Sequence, residues 1–277
     1  MINFLFWNIA KKDLTHRIRR LVDLHAIDVL ILAESMIPDA VILGKLNDKP
    51  EPEYYCAPGL VCDRLSVFAR FSPEFLAVVN ESERMTIRAL RLPNCPEVLI
   101  AAIHMPSKRE WDDPSQDVEC TALAEDIRCA ENKVGHSRTV LVGDFNMNPF
   151  QGGMVAARGL HGVMTRQTAM KLSSTVQARG YKFFYNPMWG FFGDRDGDPP
   201  GTHYYEKAVH RVFFWNIFDQ VLVRPELLDC FNTQDVAILD SDGTESLVDA
   251  KGRPDKRKAS DHLPIKFALK LLKGDSP

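Results

Sequence analysis

The feature that most constrains this chain is a recurring layout in which a short, uncharged apolar run stops on a side chain capable of chemistry. The plainest case is Thr139–Phe150, TVLVGDFNMNPF. Thr139–Val142 is β-branched and apolar and is bounded by Gly143, which predicts a fully buried strand. Asp144 and Asn146 follow, then the chain-turning pair Asn148-Pro149. Residues at i and i+2 of an extended chain point the same way, so this carboxylate and carboxamide can face one pocket. Capping the next turn is the alternative use for both.

The layout repeats. Ile2–Trp7 ends on Asn8, Ile27–Ala33 on Glu34 and Val98–Ile103 on His104. Between the first two, Leu14, Ile18, Leu21, Val22 and Leu24 recur at helical spacing across Asp13–His25, with Asp13 as N-cap. Strand, helix, strand makes a βαβ-like start. From Tyr54 to Ile103, strands over Leu65–Phe71, Phe75–Asn80, Thr86–Leu92 and Val98–Ile103 are separated by Pro- and Asn-rich breaks, which predicts a meander of antiparallel hairpins. A helix is expected over Ser115–Val134 with Val118, Leu123, Ile127 and Ala130 inward. Two shorter helices are expected within Gln151–Ala178 and a strand at Tyr181–Phe184.

Trp189–Tyr205 is too rich in Gly, Pro and Asp for a regular element. Asp194, Asp196 and Asp198 resemble a calcium loop, but Gly197 is misplaced, Pro199-Pro200 follows and the bidentate Glu is missing, so no calcium is expected there. Asp219 sits inside the strand Phe218–Val223, where a buried carboxylate requires a partner. A basic loop carrying Lys251, Arg253, Lys256, Arg257 and Lys258 then runs into Ser260-Asp261-His262 and a last strand, Ile265–Leu269. A basic loop of this size is usually an ordinary solvated surface.

With 277 residues, 45% hydrophobic and 26% charged, the chain suits one globular α/β domain over 1–277. No apolar run is long enough to span a bilayer, the start lacks a basic leader, and the six cysteines form no C-x-x-C pair. A cytoplasmic protein without a membrane partner or zinc site is expected, its oligomeric state open. A net charge of −3 means that a polyanion would have to be held by a local basic patch or a metal.

Asn8, Glu34, His104, Asp144, Asn146, Asp261 and His262 all lie at strand boundaries, and the set has neither a thiolate nor a serine elbow. Hard oxygen ligands of this kind suit Mg²⁺, with Mn²⁺ an alternative, completed by a substrate phosphate. In this order, Asn8, Glu34 in ILAES, His104 in LIAAIH, Gly143-Asp144-Phe145-Asn146, Asp219 in FDQVLV and Ser260-Asp261-His262 resemble the endonuclease/exonuclease/phosphatase superfamily. The resemblance extends from Ile2 to Leu269.

That resemblance implies a four-layer αββα sandwich, two mixed β-sheets packed face to face with helices outside. It implies Glu34, Asn8 and Asp261 as metal ligands, Asp144 activating water and Asn146 positioning phosphate. His262 would donate to a non-bridging oxygen with Asp219 orienting it. His104 would serve the leaving oxygen, paired with a carboxylate such as Asp63, for which a role in a turn is the alternative. Thr202 matches the family's G-T-aromatic loop near the substrate. Leu141-Val142, Met147 and Leu263 depart from the inositol 5-phosphatase pattern. The expectation is therefore a Mg²⁺-dependent nuclease or phosphodiesterase on DNA or RNA, with Lys256 and Arg257 against the phosphate backbone and the aromatic loop Trp189–Tyr205 against bases. A small phosphate ester or phospholipid headgroup is the alternative substrate, and a non-catalytic binding domain the alternative class. His16, His25, His136, His161 and His210 match no block.

Overall fold

The computed structural model describes residues 1–48, 53–194 and 199–271. Its principal elements in chain order are β1 (Ile2–Asn8), α1 (Thr15–Leu24), β2 (Val29–Ala33), α2 (Asp39–Leu46), β3 (Leu65–Ala69), β4 (Leu76–Ser82), β5 (Met85–Leu90), β6 (Val98–His104), α3 (Asp113–Val134), β7 (Thr139–Asp144), β8 (Asp219–Val223) and β9 (Ile265–Leu269). They form two large mixed sheets. One has the order Ala237–Ile238, β9, β1, β2, β3, Tyr55–Cys56; the other runs β4, β5, β6, β7, β8, Phe184–Tyr185, Gly162–Val163.

Side-chain alternation builds the layers. In the second sheet Ile100, Ala102, Val140, Val142, Val221 and Val223 share one core with Phe4, Phe6 and Ile31 of the first sheet. Their neighbours Leu99, Ala101, Ile103, Leu141 and Leu222 point the opposite way and pack with Leu123 and Ile127 of α3. Ile18, Leu21 and Val22 of α1 cover the first sheet. Within that sheet Phe4 and Phe267 stand opposite on β1 and β9, their rings stacked 4.7 Å apart. Helix, sheet, sheet, helix is the expected sandwich.

The first and last strands are joined in one sheet: β1 pairs in parallel with β2 and antiparallel with β9. In the other, β7 is parallel to β6 and antiparallel to β8. The register of these pairs sets Asn8 beside Ala33, which precedes Glu34, and sets both His104 and Asp219 level with Asp144. Because the polar residues end their strands, they arrive at matching sheet edges.

The expected meander holds for β4, β5 and β6, whereas β3 pairs with β2 in the first sheet. An apolar strand does not encode its partner, and β3 completes the sheet that β2 would otherwise leave open. Helix α2 was not anticipated. The helix over 13–25 begins at Thr15 with Leu14 at the cap position, although Asp13 still accepts from the Thr15 amide at 3.2 Å and its hydroxyl at 2.7 Å. Val118 is 72% exposed on α3 rather than inward. Between 151 and 178 only single turns of helix form, at Gly152–Val155 and Arg166–Ala169. A hairpin of Ser173–Val176 with Arg179–Lys182 follows, its turn made by Gln177 and Ala178 at positive φ. Neither turn residue is a glycine or asparagine, so the sequence carries no hairpin signal there.

Gly143 is required by a close approach. A Cβ built on it would lie 2.1 Å from the carbonyl oxygen of Ile103 on β6, a backbone atom that cannot turn aside. Gly143→Ala is expected to lower stability by about 1–3 kcal/mol through this overpacking, read as a reduced urea midpoint with an unchanged slope; an unaltered midpoint would contradict the tight β6–β7 contact.

Candidate active site

Asp144 is the centre of the site and is 1% exposed. Burying a carboxylate is costly unless hydrogen bonds replace its water. Asn8 Nδ2 donates to its Oδ2 at 2.9 Å, and the Asn146 backbone N–H donates to its Oδ1 at 2.8 Å. The Asn8 bond crosses from one sheet to the other. The same Asn8 amide donates to Glu34 Oε1 at 3.2 Å, so two carboxylates share one nitrogen. Asn8 is itself oriented by its Oδ1, which accepts the Ala10 N–H at 3.0 Å.

Glu34 and Asn146 both occupy the left-handed backbone region, at φ 51° and 50°. Non-glycine residues held there are strained, by about 1–3 kcal/mol each, and such strain gathers at functional sites. The strain re-aims each side chain just beyond a strand end. Glu34 also takes His104 Nε2 at 3.4 Å. That hydrogen bond, opposed by burial and aided by Asn8, holds the Glu34 carboxyl down at about 2. Asn146 Nδ2 donates to the Met105 carbonyl at 2.9 Å, tying the Asp144 loop to the end of β6.

His262 Nδ1 lies 2.8 Å from Asp219 Oδ2 and 3.8 Å from Asp144 Oδ2. Burial works against the imidazolium, but the two carboxylates outweigh it and raise its pKa to about 10. Asp219 is fully buried, and burial pushes its carboxyl up while the adjacent imidazolium pulls it down. The proton of this pair therefore sits on the ring, leaving Nε2 as a donor.

Several residues hold these groups without facing the opening. Thr202, expected against substrate, is fully buried, and its hydroxyl accepts the backbone N–H groups of Phe218 and Asp219, each at 3.1 Å. It fixes the start of β8 and has no free face for a ligand. Ser260 donates to the Asn8 carbonyl at 2.6 Å and accepts the His262 N–H at 3.1 Å, and Trp7 Nε1 donates to the His262 carbonyl at 2.9 Å. Gln116 on α3 donates to the carbonyls of Pro106 and Asn146, at 2.9 and 3.4 Å.

The expected pairing of His104 with Asp63 is not made. Asp63 is exposed, while His104 Nδ1 is buried with no hydrogen-bond partner. Its Nε2 has Glu34 instead. Asp261 is half-buried, close enough to His262 and His203 for its charge to act on both. Lys256 and Arg257 are exposed, and Lys12 Nζ donates to the carbonyls of Lys256 and Ala259, which ties their loop to the segment following Asn8. Asp196 and Asp198 lie outside the described residues.

His203 is a neighbour that the motifs did not single out. Its ring lies 4.8 Å from that of His262 and stacks on Phe218 at 5.1 Å. Burial and the charge on His262 depress its pKa to about 4, so it packs there neutral. Its position beside Thr202 in the G-T-H-Y run is the one available signal.

Among the described residues, two places could take a cation. Ligand atoms of Asp144, Asp219 and His262 lie within 4.8 Å of one another. There, however, His262 Nδ1 is engaged by Asp219 at 2.8 Å, and an ion would have to displace that proton. The Glu34 and Asn8 side fits better. Glu34 offers a hard oxygen and is only half-buried, and two carboxylates gathered on one amide gain from a positive charge, while Asn8 would ligate through Oδ1 by turning its amide away from the Ala10 N–H. A chemically sound candidate is thus a divalent cation held by Glu34 and Asn8.

The His262 shift has a stability consequence. Its folded value, about 10, exceeds the ordinary 6.5, so the stabilisation it provides is complete below pH 6.5 and is lost as pH rises through 10. In EDTA, thermal midpoints are expected to decline over that window in the wild type. Asp219→Asn should flatten the decline and lower the imidazole titration followed by NMR; an identical titration in the variant would refute the pairing.

No protein-family model matches the sequence, and no curated protein matches it. Solved structures do. The Neisseria 3′ phosphatase NExo bound to product DNA hairpin is similar with a TM-score of 0.57 at 14% identity, over 97% of this chain and 99% of that one. The human Nocturnin catalytic domain with bound sulfate gives 0.56 at 14%, over 97% and 93%. The D. rerio TDP2 complexed with single strand DNA product gives 0.54 at 14%, over 97% and 98%. Another similar structure is an endonuclease/exonuclease/phosphatase family protein from Leptotrichia buccalis. With both large sheets, their flanking helices and nearly the whole chain accounted for, this protein has the fold of the endonuclease/exonuclease/phosphatase superfamily.

Proposed function

We propose that residues 1–277 form one catalytic domain, a Mg²⁺-dependent phosphodiesterase, with Mn²⁺ able to substitute, that cleaves DNA or RNA by in-line attack of water. The observation that carries this reading is the convergence on Asp144 of Asn8 and Glu34 from one sheet with His262, held by Asp219, on its other side. Supporting it, fold relatives of this chain include a 3′ phosphatase bound to a DNA hairpin product and a protein complexed with a single-stranded DNA product.

Glu34 and Asn8, with Asp261 opposite, would hold the cation, which when bound offsets the charge that develops on the phosphate. Asp144 orients the attacking water and takes its proton through Oδ2, the oxygen fixed by Asn8. One N–H of the Asn146 amide is engaged by the Met105 carbonyl, and the other is available to a phosphate oxygen. His262 donates from Nε2 to a non-bridging oxygen while Asp219 keeps it protonated and aligned. His104 would face the leaving oxygen. Lys256 and Arg257 would take backbone phosphates of a longer substrate.

All six cysteines are free, and no helix among the described residues is long and apolar enough to cross a membrane. Both fit the proposal that the enzyme works in the reducing cytoplasm.

Supercoiled plasmid and labelled RNA, incubated with Mg²⁺, should be cut, with cutting stopped by EDTA. Glu34→Gln and His262→Ala should each slow it by about 10²–10³-fold or more. Joint replacement of Lys256 and Arg257 should lower the salt slope of binding by about 1–2. Wild-type activity that survives EDTA, or a His262→Ala enzyme of normal rate, would reject the assignment.

A further inference from the structure

Aromatic side chains rise beside the Asp144–Asn146 loop in a way the hydrolytic site does not require. We propose that they form a stacking platform for unpaired nucleobases, so that the nucleic acid bound is single-stranded next to the bond cleaved; this rests on the hydrolase reading above.

The centre of the platform is Phe150, at the end of the loop that carries Asp144 and Asn146. Its ring lies 5.2 Å from Phe213, 5.6 Å from Phe192 and 6.2 Å from Trp189. Phe150 is 37% exposed and Phe213 59%. Large aromatic rings left this open are poorly explained by folding alone, since each could bury 150–250 Å² or so of surface. The neighbouring ribbon, His203–Tyr205 paired with Phe214–Asn216, adds Tyr205 and Phe214, which are 41% and 45% exposed. Phe214 sits at φ 60°, a left-handed conformation that a bulky residue rarely adopts and that costs stability.

The platform is attached to the catalytic groups from two sides. Asn148, two residues before Phe150, donates from Nδ2 to Asn216 Oδ1 at 2.9 Å and accepts the Ile217 N–H at 2.8 Å. All of these donors and acceptors are buried. At the base of the ribbon the His203 ring meets that of His262 at 4.8 Å. A strand whose phosphate lay against His262 would therefore have its next bases beside these rings.

The chemistry selects the occupant. Every base has a π-face, so a run of aromatic rings binds bases without regard to sequence, but only when the bases are not already stacked in a duplex. Between the ribbon strands Lys207 and Arg211 are exposed, while the one acid of that stretch, Glu206, is paired with Arg253 at 3.0 Å. Arg253 in turn lies 4.7 Å over the Tyr204 ring. Rings beside spare cations complement a strand of bases joined by phosphates.

The test uses the full chain in EDTA with fluorescein-labelled oligothymidylate and a blunt mixed-sequence duplex, followed by anisotropy. Wild type should bind the single strand more tightly than the duplex, with quenching of tryptophan fluorescence. The double variants Phe150→Ala/Phe213→Ala and Phe150→Leu/Phe213→Leu should each weaken oligothymidylate binding by about tenfold or more and leave duplex binding unchanged. The leucine pair keeps apolar bulk, so its loss would isolate the rings. Mg²⁺-dependent hydrolysis of bis(p-nitrophenyl) phosphate should be equal in all three. Equal oligothymidylate affinity across the three proteins would overturn the platform. So would variants that lose only binding to phosphatidylserine vesicles, which would make the patch a membrane surface. A wild type that bound oligothymidylate through the rings yet hydrolysed no diester would sink the hydrolase reading and uphold the stacking.

Discussion

A buried carboxylate with its hydrogen bonds drawn from two different sheets is the constraint on which this molecule depends. Asp144 is placed by the pairing of β7 with both its neighbours, and it is made tolerable by the Asn8 amide, the Asn146 N–H and the nearby His262 ring. Removing water from such a group costs several kcal/mol unless partners replace it. The face-to-face packing of the sheets is thus coupled to the chemistry: the two sheets must meet in the right register for Asn8 to reach Asp144.

Beneath this centre several neutral polar side chains are engaged with one another. Asn186 donates to Gln220 at 2.8 Å, and Gln220 donates to the carbonyls of Met147 and Ile217 at 2.6 and 2.9 Å. With Asn148, Thr202 and Ser260 they form a buried scaffold beneath the strand ends, built on neutral groups. That choice leaves the strong fields to Glu34, Asp144, Asp219 and His262, where charge is needed. Far from the opening, Arg224 is used differently. It is 3% exposed, pairs with Glu131 of α3 at 2.8 Å and lies 3.8 Å over Phe184, pinning α3 to the sheet.

Much of this was legible because strand ends were the informative positions. Uncharged runs such as Thr139–Val142 read as buried strands, and each one that stopped on Asn8, Glu34, His104 or Asp144 placed that residue at a sheet edge. Pairing was less legible. Nothing in Leu65–Ala69 says that it joins β2 rather than β4, since an apolar strand satisfies either neighbour. The roles of Thr202 and Asp63 could not be read either. Thr202 stands in a motif, but the direction of its hydroxyl depends on where β8 begins, and Asp63 has the right residue type in a segment whose path ends exposed. His203 stood in the same G-T-H-Y run as Thr202, but its meaning comes from contact with His262, distant in sequence. The aromatic platform was half visible: Trp189–Tyr205 was rich in rings, whereas the contributions of Phe150 and Phe213 needed the fold.

The central claim is that residues from both sheets surround one divalent-cation site. The most direct test is NMR of histidine C–H signals during titration with Mn²⁺, whose unpaired electrons broaden nearby resonances. An ion held at Glu34 and Asn8 should broaden His104 and His262 first and leave His136, which is engaged by Glu97 at 3.1 Å, sharp at the same stoichiometry. Glu34→Gln should abolish the selective effect. Broadening spread evenly over all histidines, or persisting unchanged in Glu34→Gln, would contradict the account.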